Sequence, residues 1–315
     1  MDKKNDCDVS IIYVNYKNTN LVLDSIKSVR DKSLDFNYEI IIVDNSEDNN
    51  IINELRNNLD DTIKIIDAGA NLGFGKANNL GAKNANGKYL FFLNTDTYLI
   101  NNAIYVLKKF MDENEGCGIC GPNIYTTDHK PNSSFSKKET NISTVKNTNS
   151  MMFFIKKHLF KKNKFFNYSD EPVESFGDTN GAALMIRKDL FEKIGGFDKD
   201  IFMYAEETLL CFNVRHKTNF HIFNVPSAKI VHLEGGSFKG QTAFQCKSYV
   251  DGNYIYYRKA FGEKYAFKYL KVMKKVFKKK KILSKILRKR DAYIRYDNMV
   301  VAFNNKILEV KLKGE

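Results

Sequence analysis

Short apolar runs alternate with stretches of helical periodicity through the first half of the chain, and this alternation most constrains the fold. Val9–Val14 and Glu39–Val43 are rich in β-branched residues and bounded by polar turns, which is typical of buried parallel strands. Between them, Val22, Ile26 and Val29 recur at helical spacing. The pattern therefore predicts an α/β fold with a mostly parallel sheet flanked by helices. Further strands are predicted at 63–66, 89–93 and 182–186, with helices at 75–86, 100–111 and 206–216.

Polar residues follow two of these strands where each strand ends. Asp44-Asn45-Ser46 follows the second strand, and Asn94-Thr95-Asp96 follows the run 89–93. Carboxyl ends of parallel strands meet at one edge of a sheet, so both aspartates are expected to open onto one crevice. Two carboxylates with amides and backbone donors suit a nucleotide and a divalent cation. The alternative is that these polar segments are simple turns. Separately, Gly73-Phe74-Gly75 lacks the third glycine of a dinucleotide-binding fingerprint.

The net charge of +13 is concentrated in one segment of the chain. Residues 264–290 contain 13 Lys or Arg and no Asp or Glu, so the remainder sums to zero. Apolar residues recur at helical spacing among these cations, which predicts a helix lying on an anionic membrane surface. A solvated charged helix or a homodimer contact is the alternative. Nucleic acid is not an expected partner, because no nucleic-acid module surrounds the segment.

Membrane spans and export signals are not predicted. No apolar run reaches the roughly 20 residues that span a bilayer, and the charged start has no signal-peptide core after it. The five scattered cysteines fit reduced thiols better than a disulfide framework. We therefore expect a cytoplasmic protein.

Five motifs occur in one order: VSIIYVNYKN, EIIIVDNSEDN, NLGFGKANNLGAKNANGKYLFFLNTDT, GAALMIRKDLFEKIGGFDKDIFMYAEE and AKIVHLEGGS. Over roughly residues 8–240 the chain resembles family 2 glycosyltransferases of the GT-A fold, most of all their bacterial rhamnosyltransferase branch. The resemblance implies a Rossmann-like central sheet and a transferase domain over 1–240, with 128–176 as a variable insertion. Residues 241–315 would then be a C-terminal helical, basic extension that holds the protein peripherally at the inner face of the bacterial cell membrane.

The resemblance also implies a reaction. A sugar would pass with inversion from a nucleoside diphosphate sugar to a saccharide or lipid-linked acceptor in surface polysaccharide synthesis. The first expected donor is dTDP-rhamnose, and UDP-hexoses come next. Charge on the leaving diphosphate calls for a divalent cation, Mn²⁺ or Mg²⁺, and the acceptor hydroxyl calls for a base.

Site residues follow by matching the family motifs. Asp44 would accept a hydrogen bond from the pyrimidine N–H. Asp96 matches the metal-binding acid of the family's DxD motif, in which Asn94 replaces the first acid, and His232 would complete the metal or diphosphate site. The nucleotide-sugar site as a whole would comprise Val14, Asn15, Tyr16, Asp44, Asn45, Asn71, Gly73, Phe74, Asn78, Asn79, Asn94, Thr95 and Asp96.

The proton acceptor matches one of two adjacent acids at the start of a predicted helix. Glu207 is the expected base, and Glu206 is the second choice. By the resemblance, the acceptor would be bound by Gly181, Ala182 and Asp198. The chain departs from the family at Leu209 and Asn213, where an acid and an arginine are usual, which implies altered substrate recognition or reduced activity.

Other function classes stay open at this point. A nucleotidyltransferase, a dinucleotide-binding oxidoreductase or a non-catalytic nucleotide-sugar-binding protein could use a similar sheet. The missing third glycine argues against the oxidoreductase. A processive synthase is not expected, because such synthases resemble one another in a Gln-x-x-Arg-Trp motif followed by membrane spans, and this sequence has neither a tryptophan nor a predicted span.

Overall fold

The computed structural model describes residues 7–148, 168–233 and 242–313. In these ranges, nine strands form one sheet in the order β3-β2-β1-β4-β8-β6-β9-β5, with β7 paired to β9. The strands are β1 (Val9–Asn15), β2 (Tyr38–Asp44), β3 (Ile63–Asp67), β4 (Tyr89–Leu93), β5 (Thr97–Leu99), β6 (Cys117–Tyr125), β7 (Val173–Glu174), β8 (Ala183–Arg187) and β9 (His221–His232).

Helices connect the strands and cover both faces of the sheet. The predicted helices over 75–86, 100–111 and 206–216 are each present with bounds shifted by a few residues. The helices are α1 (Thr19–Lys32), α2 (Asn49–Asn58), α3 (Phe74–Lys83), α4 (Ala103–Glu113), α5 (Ile142–Thr148), α6 (Lys188–Lys193), α7 (Glu206–Lys217), α8 (Ala243–Phe261), α9 (Glu263–Ile286) and α10 (Arg290–Lys313).

The α/β class is confirmed, but a mostly parallel sheet is found only on one side. Strands β1, β2, β3 and β4 pair in parallel, as predicted. Beyond β4 the sheet is mixed, because β8 runs antiparallel to both β4 and β6, while β6 and β9 are parallel. An apolar run marks a buried strand but carries no sign of its direction, so the sequence pattern could not distinguish these pairings.

Two apolar cores enclose the sheet. One face packs against α1, α2 and α4 through residues that include Ile26, Leu55 and Leu107. The opposite face packs against α3, α6 and α7 through residues that include Leu190 and Val214. The carboxyl ends of β1, β2 and β4 therefore lie at the open edge of a rigid, doubly covered sheet.

The last three helices form a third apolar core. Helix α8 begins with a capping box, in which the Thr242 hydroxyl accepts from the Gln245 N–H and the Gln245 side chain accepts from the Thr242 N–H. Side chains of the preceding region, Ile142, Ile201 and Leu209, are buried in the same core. The helical extension is thus packed onto the sheet domain. The predicted boundary at 240, like residues 149–167 of the predicted insertion, lies outside the described residues.

The structure corrects the predicted orientation of the basic helix. Five apolar side chains of 264–290 are buried in the core formed with the protein's own helices, namely Ala266, Tyr269, Leu270, Met273 and Phe277, and five more are partly buried. The same helical spacing serves a three-helix core as well as a membrane surface, so the sequence pattern could not distinguish the two. Within 264–290, the large apolar side chains that are exposed lie at the end of α9 and in the following turn: Ile282 at 60%, Ile286 at 71% and Leu287 at 53%. Within the described residues, no helix is both long and apolar enough to cross a bilayer.

Candidate functional site

The ends of β1 and β2 place two predicted nucleotide residues side by side. Register pairs Asn15 with Asp44, and the Asn15 amide donates to Asp44 Oδ1 at 2.8 Å. The Ser46 hydroxyl donates to the same oxygen at 2.7 Å. Both Asn15 and Asp44 are buried, and Asn15 Oδ1 has no hydrogen-bond partner in the described chain. This is a preformed polar wall at the sheet edge.

Asn45 joins that wall to the loop before α3. Its amide donates to Asn71 Oδ1 at 3.0 Å, and its oxygen accepts from the Leu72 N–H at 2.9 Å. Gly73 has φ +82, and a Cβ there would overlap the Phe202 carbonyl oxygen. The next N–H, of Phe74, donates to that oxygen at 2.9 Å. The loop therefore meets the segment that leads into α7.

The remaining predicted nucleotide residues divide into two groups. Val14 and Thr95 are half-buried, and Tyr16 is 41% exposed, so they border the sheet edge. Asn78 and Asn79 use their amides inside the protein. Asn78 donates to the Phe74 carbonyl at 3.1 Å, and Asn79 donates to and accepts from the Phe197 backbone at 2.8 and 2.9 Å. The Asn79 bonds join α3 to the segment around Phe197, whereas the Asn78 bond lies within α3.

Strands β5 and β9 bring the predicted metal residues together. Thr97 pairs with His232 across the two strands, and His232 Nε2 lies 3.2 Å from Asp96 Oδ1. Asn94 Oδ1 and His232 Nδ1 are buried without a partner among the residues described. No cluster of three or more His, Cys, Asp or Glu side chains surrounds them in the described ranges. Asp96 and His232 suit a cation such as Mg²⁺ or Mn²⁺, which completes its coordination with substrate phosphates and water.

The acid pair stands at the start of α7, after two residues with unusual backbone. Tyr204 and Ala205 have φ +70 and +71, a conformation that non-glycine residues rarely adopt. Glu206 is buried and its Oε2 has no partner in the described part of the chain. Burial raises the pKa of Glu206 to about 7. A carboxyl with this pKa can exchange a proton near neutral pH.

Glu207 faces a polar cleft of about 220 Å³. Its carboxyl carbon would lie 3.3 Å from a Cβ at Gly181, so the absence of a side chain there leaves room at the carboxyl. Burial, and then the charges of Glu206 and Asp178, raise the pKa of Glu207 well above its ordinary value. The cleft is lined by Ser133, Phe135, Ser136, Asp178, Thr179, Asn180, Gly181 and Glu207.

Asp178 is a cleft residue that the sequence analysis missed. Its Oδ2 accepts from the Thr208 hydroxyl at 2.7 Å, which ties the loop before β8 to α7. It lies between β7 and β8 in the stretch FGDTNGAA, where no periodicity marks it. One signal was available in the sequence: Asp178 follows a glycine and lies in the loop just before the strand predicted at 182–186. Loops beside strands often carry ligand-binding residues.

The predicted acceptor residues are only partly brought together. Gly181 lies against Glu207, and the adjacent Ala182 carbonyl accepts from the Asn94 N–H at 2.9 Å, which joins the cleft to the metal segment. Asp198 does not line the cleft. Its two carboxylate oxygens instead accept from Lys259 Nζ of α8 at 2.8 and 2.7 Å.

Both departures from the family pattern have structural correlates. Leu209 is buried in the core that α7 shares with α8, to which Val250 and Tyr254 also belong, and an acid there would be desolvated. Asn213 is half-buried on the next turn. The arginine of this helix is Arg215, and it donates to the Gly177 carbonyl.

Comparisons with known proteins point to one family. A family model described as "Glycosyl transferase family 2" matches residues 10–195. Proteins named as uncharacterized glycosyltransferases from Rickettsia conorii and Rickettsia felis are 38% identical over 112 residues and 36% over 111 residues. Each match spans 35% of this chain and 18% of the relative, so the chain accounts for less than a fifth of the length of these relatives.

A solved structure shares the fold. The crystal structure of GalNAc-T7 with UDP, GalNAc and Mn²⁺ matches with a TM-score of 0.53 and 16% sequence identity. The match covers 81% of this chain and 51% of that chain. This likeness confirms the predicted GT-A fold.

Proposed function

Because the chain belongs to glycosyl transferase family 2, we propose that it transfers a sugar with inversion from a nucleoside diphosphate sugar to an acceptor hydroxyl. The observation that carries the proposal is the position of Glu207. This carboxyl, with its raised pKa, lines a polar cleft whose wall is bonded to the segment of Asp96. A base and a diphosphate-binding edge in one region are what displacement at an anomeric carbon requires.

The proposed step is a single displacement. The acceptor oxygen forms a bond to the anomeric carbon while the bond from that carbon to the diphosphate oxygen breaks. Glu207 accepts the proton of the acceptor hydroxyl, and the diphosphate leaves with the electron pair. A divalent cation held by Asp96 and His232 would supply positive charge that offsets the charge of the leaving group. The Mn²⁺ and UDP in the GalNAc-T7 structure support this choice of cofactor and ligand.

The acceptor is proposed to be a saccharide. The cleft beside Glu207 presents hydroxyls, an amide and the Asp178 carboxylate, together with the ring of Phe135. Sugar hydroxyls pair with such groups, and the apolar face of a sugar packs on an aromatic ring. We further propose that the donor is dTDP-rhamnose, or a UDP-hexose as second choice, and that the product is a bacterial surface polysaccharide.

The exposed end of the α9–α10 hairpin supports peripheral binding to an anionic membrane. Lys285 to Arg290 are all exposed and carry four cations around Ile286 and Leu287. Apolar side chains within a cationic tip suit insertion into the headgroup region, since each cation near the surface contributes about 1 kcal/mol. In this arrangement the hairpin end, rather than the length of the helix, contacts lipid. We propose a lipid-linked acceptor at the cytoplasmic face, to which binding at the membrane would be suited.

A non-catalytic nucleotide-sugar-binding protein is the second candidate, favoured by the buried Leu209 at the position where the family often has an acid two residues after the base. A nucleotidyltransferase is a further alternative on the same fold. Turnover separates all three, because only a glycosyltransferase releases a nucleoside diphosphate while forming a new glycosidic bond.

Calorimetric titration of dTDP and of UDP, each with and without Mn²⁺, tests the donor site first. We expect Mn²⁺-dependent binding that Asp96→Ala abolishes, whereas Asp24→Ala, at an exposed position on α1, leaves binding unchanged. Whichever nucleotide binds more tightly, dTDP or UDP, indicates the nucleotide part of the donor sugar. If neither nucleotide binds under any condition, the proposed function is wrong.

A further inference from the structure

The turn that precedes the acid pair is held from outside the sheet domain. Tyr204 and Ala205, with φ +70 and +71, lie directly before Glu206. Non-glycine residues persist in this sparsely populated region only where surrounding structure enforces it. The enforcing contacts are therefore expected among the groups packed on residues 203–205.

Gly252 of α8 makes the closest of these approaches. A Cβ at this position would overlap the Tyr204 carbonyl oxygen and would lie 2.7 Å from the Met203 carbonyl oxygen. Gly252 sits in the middle of a 19-residue helix, where glycine lowers helix stability. A glycine in that setting indicates a packing reason, and here the reason is the approach of the α8 backbone to the turn.

Three further contacts join α8 to the same region. The Tyr204 and Tyr249 rings are in edge contact, with centroids 6.1 Å apart. Lys259 Nζ binds Asp198 and also Asp200, the latter at 2.6 Å. Leu209, one turn into α7, is buried in the core formed with α8. Helix α8 thus contacts the segment before the turn, the turn itself and the first part of α7.

We infer that α8 is a positioning element for the acid pair, and that Gly252 is its central residue. Because Gly252 has no side chain, the backbone of α8 can pack directly against the carbonyls of Met203 and Tyr204. This packing keeps the turn at 203–205 in its strained conformation. The conformation of this turn then directs the Glu207 side chain into the cleft beside Gly181. The catalytic consequence rests on the proposed function, whereas the mechanical coupling does not.

Backbone hydrogen exchange of the full chain tests the coupling without any substrate. Gly252→Ala should speed exchange of the amides in 203–209 by about tenfold, while amides of β1 and β4 keep their protection. Gly116→Ala is the matched control. Its added methyl would meet only the His221 ring at 3.8 Å, and exchange should remain as in the wild type. Unchanged exchange in 203–209 of a folded Gly252→Ala protein would overturn the inference.

Lys259→Met provides a second variant if Gly252→Ala unfolds the protein. It removes ion pairs from a partly exposed side chain, so the fold should persist. Faster exchange confined to 198–205 supports the inference, and wild-type exchange there refutes it.

Donor cleavage supplies the catalytic readout. With dTDP-rhamnose or UDP-glucose, whichever the wild type cleaves, Gly252→Ala should lower kcat roughly 100-fold and leave the donor KM unchanged. A change confined to KM would contradict a positioning role for Glu207. If the wild type cleaves neither donor, the proposed function fails, and the exchange result still decides the coupling.

Discussion

His232 and Asp96 lie 3.2 Å apart between Nε2 and Oδ1, although one ends β9 and the other precedes β5. Antiparallel pairing of these two strands creates the contact. A cation bound there would have one nitrogen and one oxygen from the protein, and substrate oxygens would supply the rest.

Replacing His232 should therefore weaken nucleotide binding only when metal is present. We expect His232→Asn to raise the Kd for UDP or dTDP with Mn²⁺ by about tenfold or more, and to leave metal-free binding unchanged. His221→Asn is the control, since His221 is an exposed residue at the other end of β9 that pairs with Glu174. Equal losses with and without Mn²⁺ would count against a metal site.

Glu207→Gln should separate chemistry from binding. Loss of the base lowers kcat by roughly 10² to 10⁴, whereas nucleotide affinity stays as in the wild type. Glu192→Gln, an exposed change on α6, should keep full turnover. Steady-state kinetics and calorimetry on the same preparations measure both quantities. If Glu206→Gln is the inactive variant and Glu207→Gln is active, the roles of the two acids are reversed.

The buried acid pair should also make stability depend on pH. The pKa of Glu206 rises from 4.5 to about 7 on folding, so the folded chain binds more protons in this interval. The contribution of Glu206 to stability is then fully present below pH 4.5 and is lost as pH rises towards 7, by at most about 3 kcal/mol. Urea unfolding at pH 5 and pH 8 should show this decline in the wild type and a smaller one in Glu206→Gln. An equal decline in both would assign the effect to other groups.

The hairpin tip should bind anionic vesicles. Sedimentation with phosphatidylglycerol vesicles should capture the wild type, and neutral phosphatidylcholine vesicles should not, because the cations contribute most of the attraction. Ile286→Ser combined with Leu287→Ser should reduce capture roughly tenfold. Leu308→Ser with Leu312→Ser changes two equally exposed residues far along α10 and should have no effect. Capture of wild type and tip variant alike would exclude insertion of the tip.

Restoring the family acid at position 209 should damage the protein. Leu209→Asp places a carboxylate in an apolar core without a partner, at a cost of about 3 kcal/mol or more in the free energy of unfolding. Asn213→Arg, at a half-buried position, should fold normally. Thermal unfolding distinguishes the two. A stable Leu209→Asp protein with higher turnover would contradict this prediction and would mean that an acid at position 209 can take part in the reaction.

Sequence patterns predicted five of the nine strands and did not predict β6 or β9, the two longest. Strands β1, β2 and β4 were recognisable because both of their faces are buried and their apolar runs are continuous. Strand β5, with three residues, gave no comparable run. Asp178 escaped notice because its importance comes from contact with α7, which no local pattern encodes.

For the helical extension, the sequence predicted the helices but not what their apolar faces contact. Its helices were predicted from the spacing of apolar residues, and that prediction is confirmed. The environment of the apolar face was predicted wrongly, because period 3.6 specifies a face and not what covers it. The ion pairs of Lys259 with Asp198 and Asp200 likewise join elements that are distant in sequence.

The burial of Leu209 among α8 residues has a consequence for exchanging parts between related enzymes. A chimera that keeps residues up to 240 and takes its helices from a relative would set this leucine against a surface shaped for another side chain. A truncation at the same point would uncover Leu209, Phe212 and Ile201 together and favour aggregation. Donor specificity is therefore best transplanted through the loops at the sheet edge, with α7 and α8 inherited as one unit.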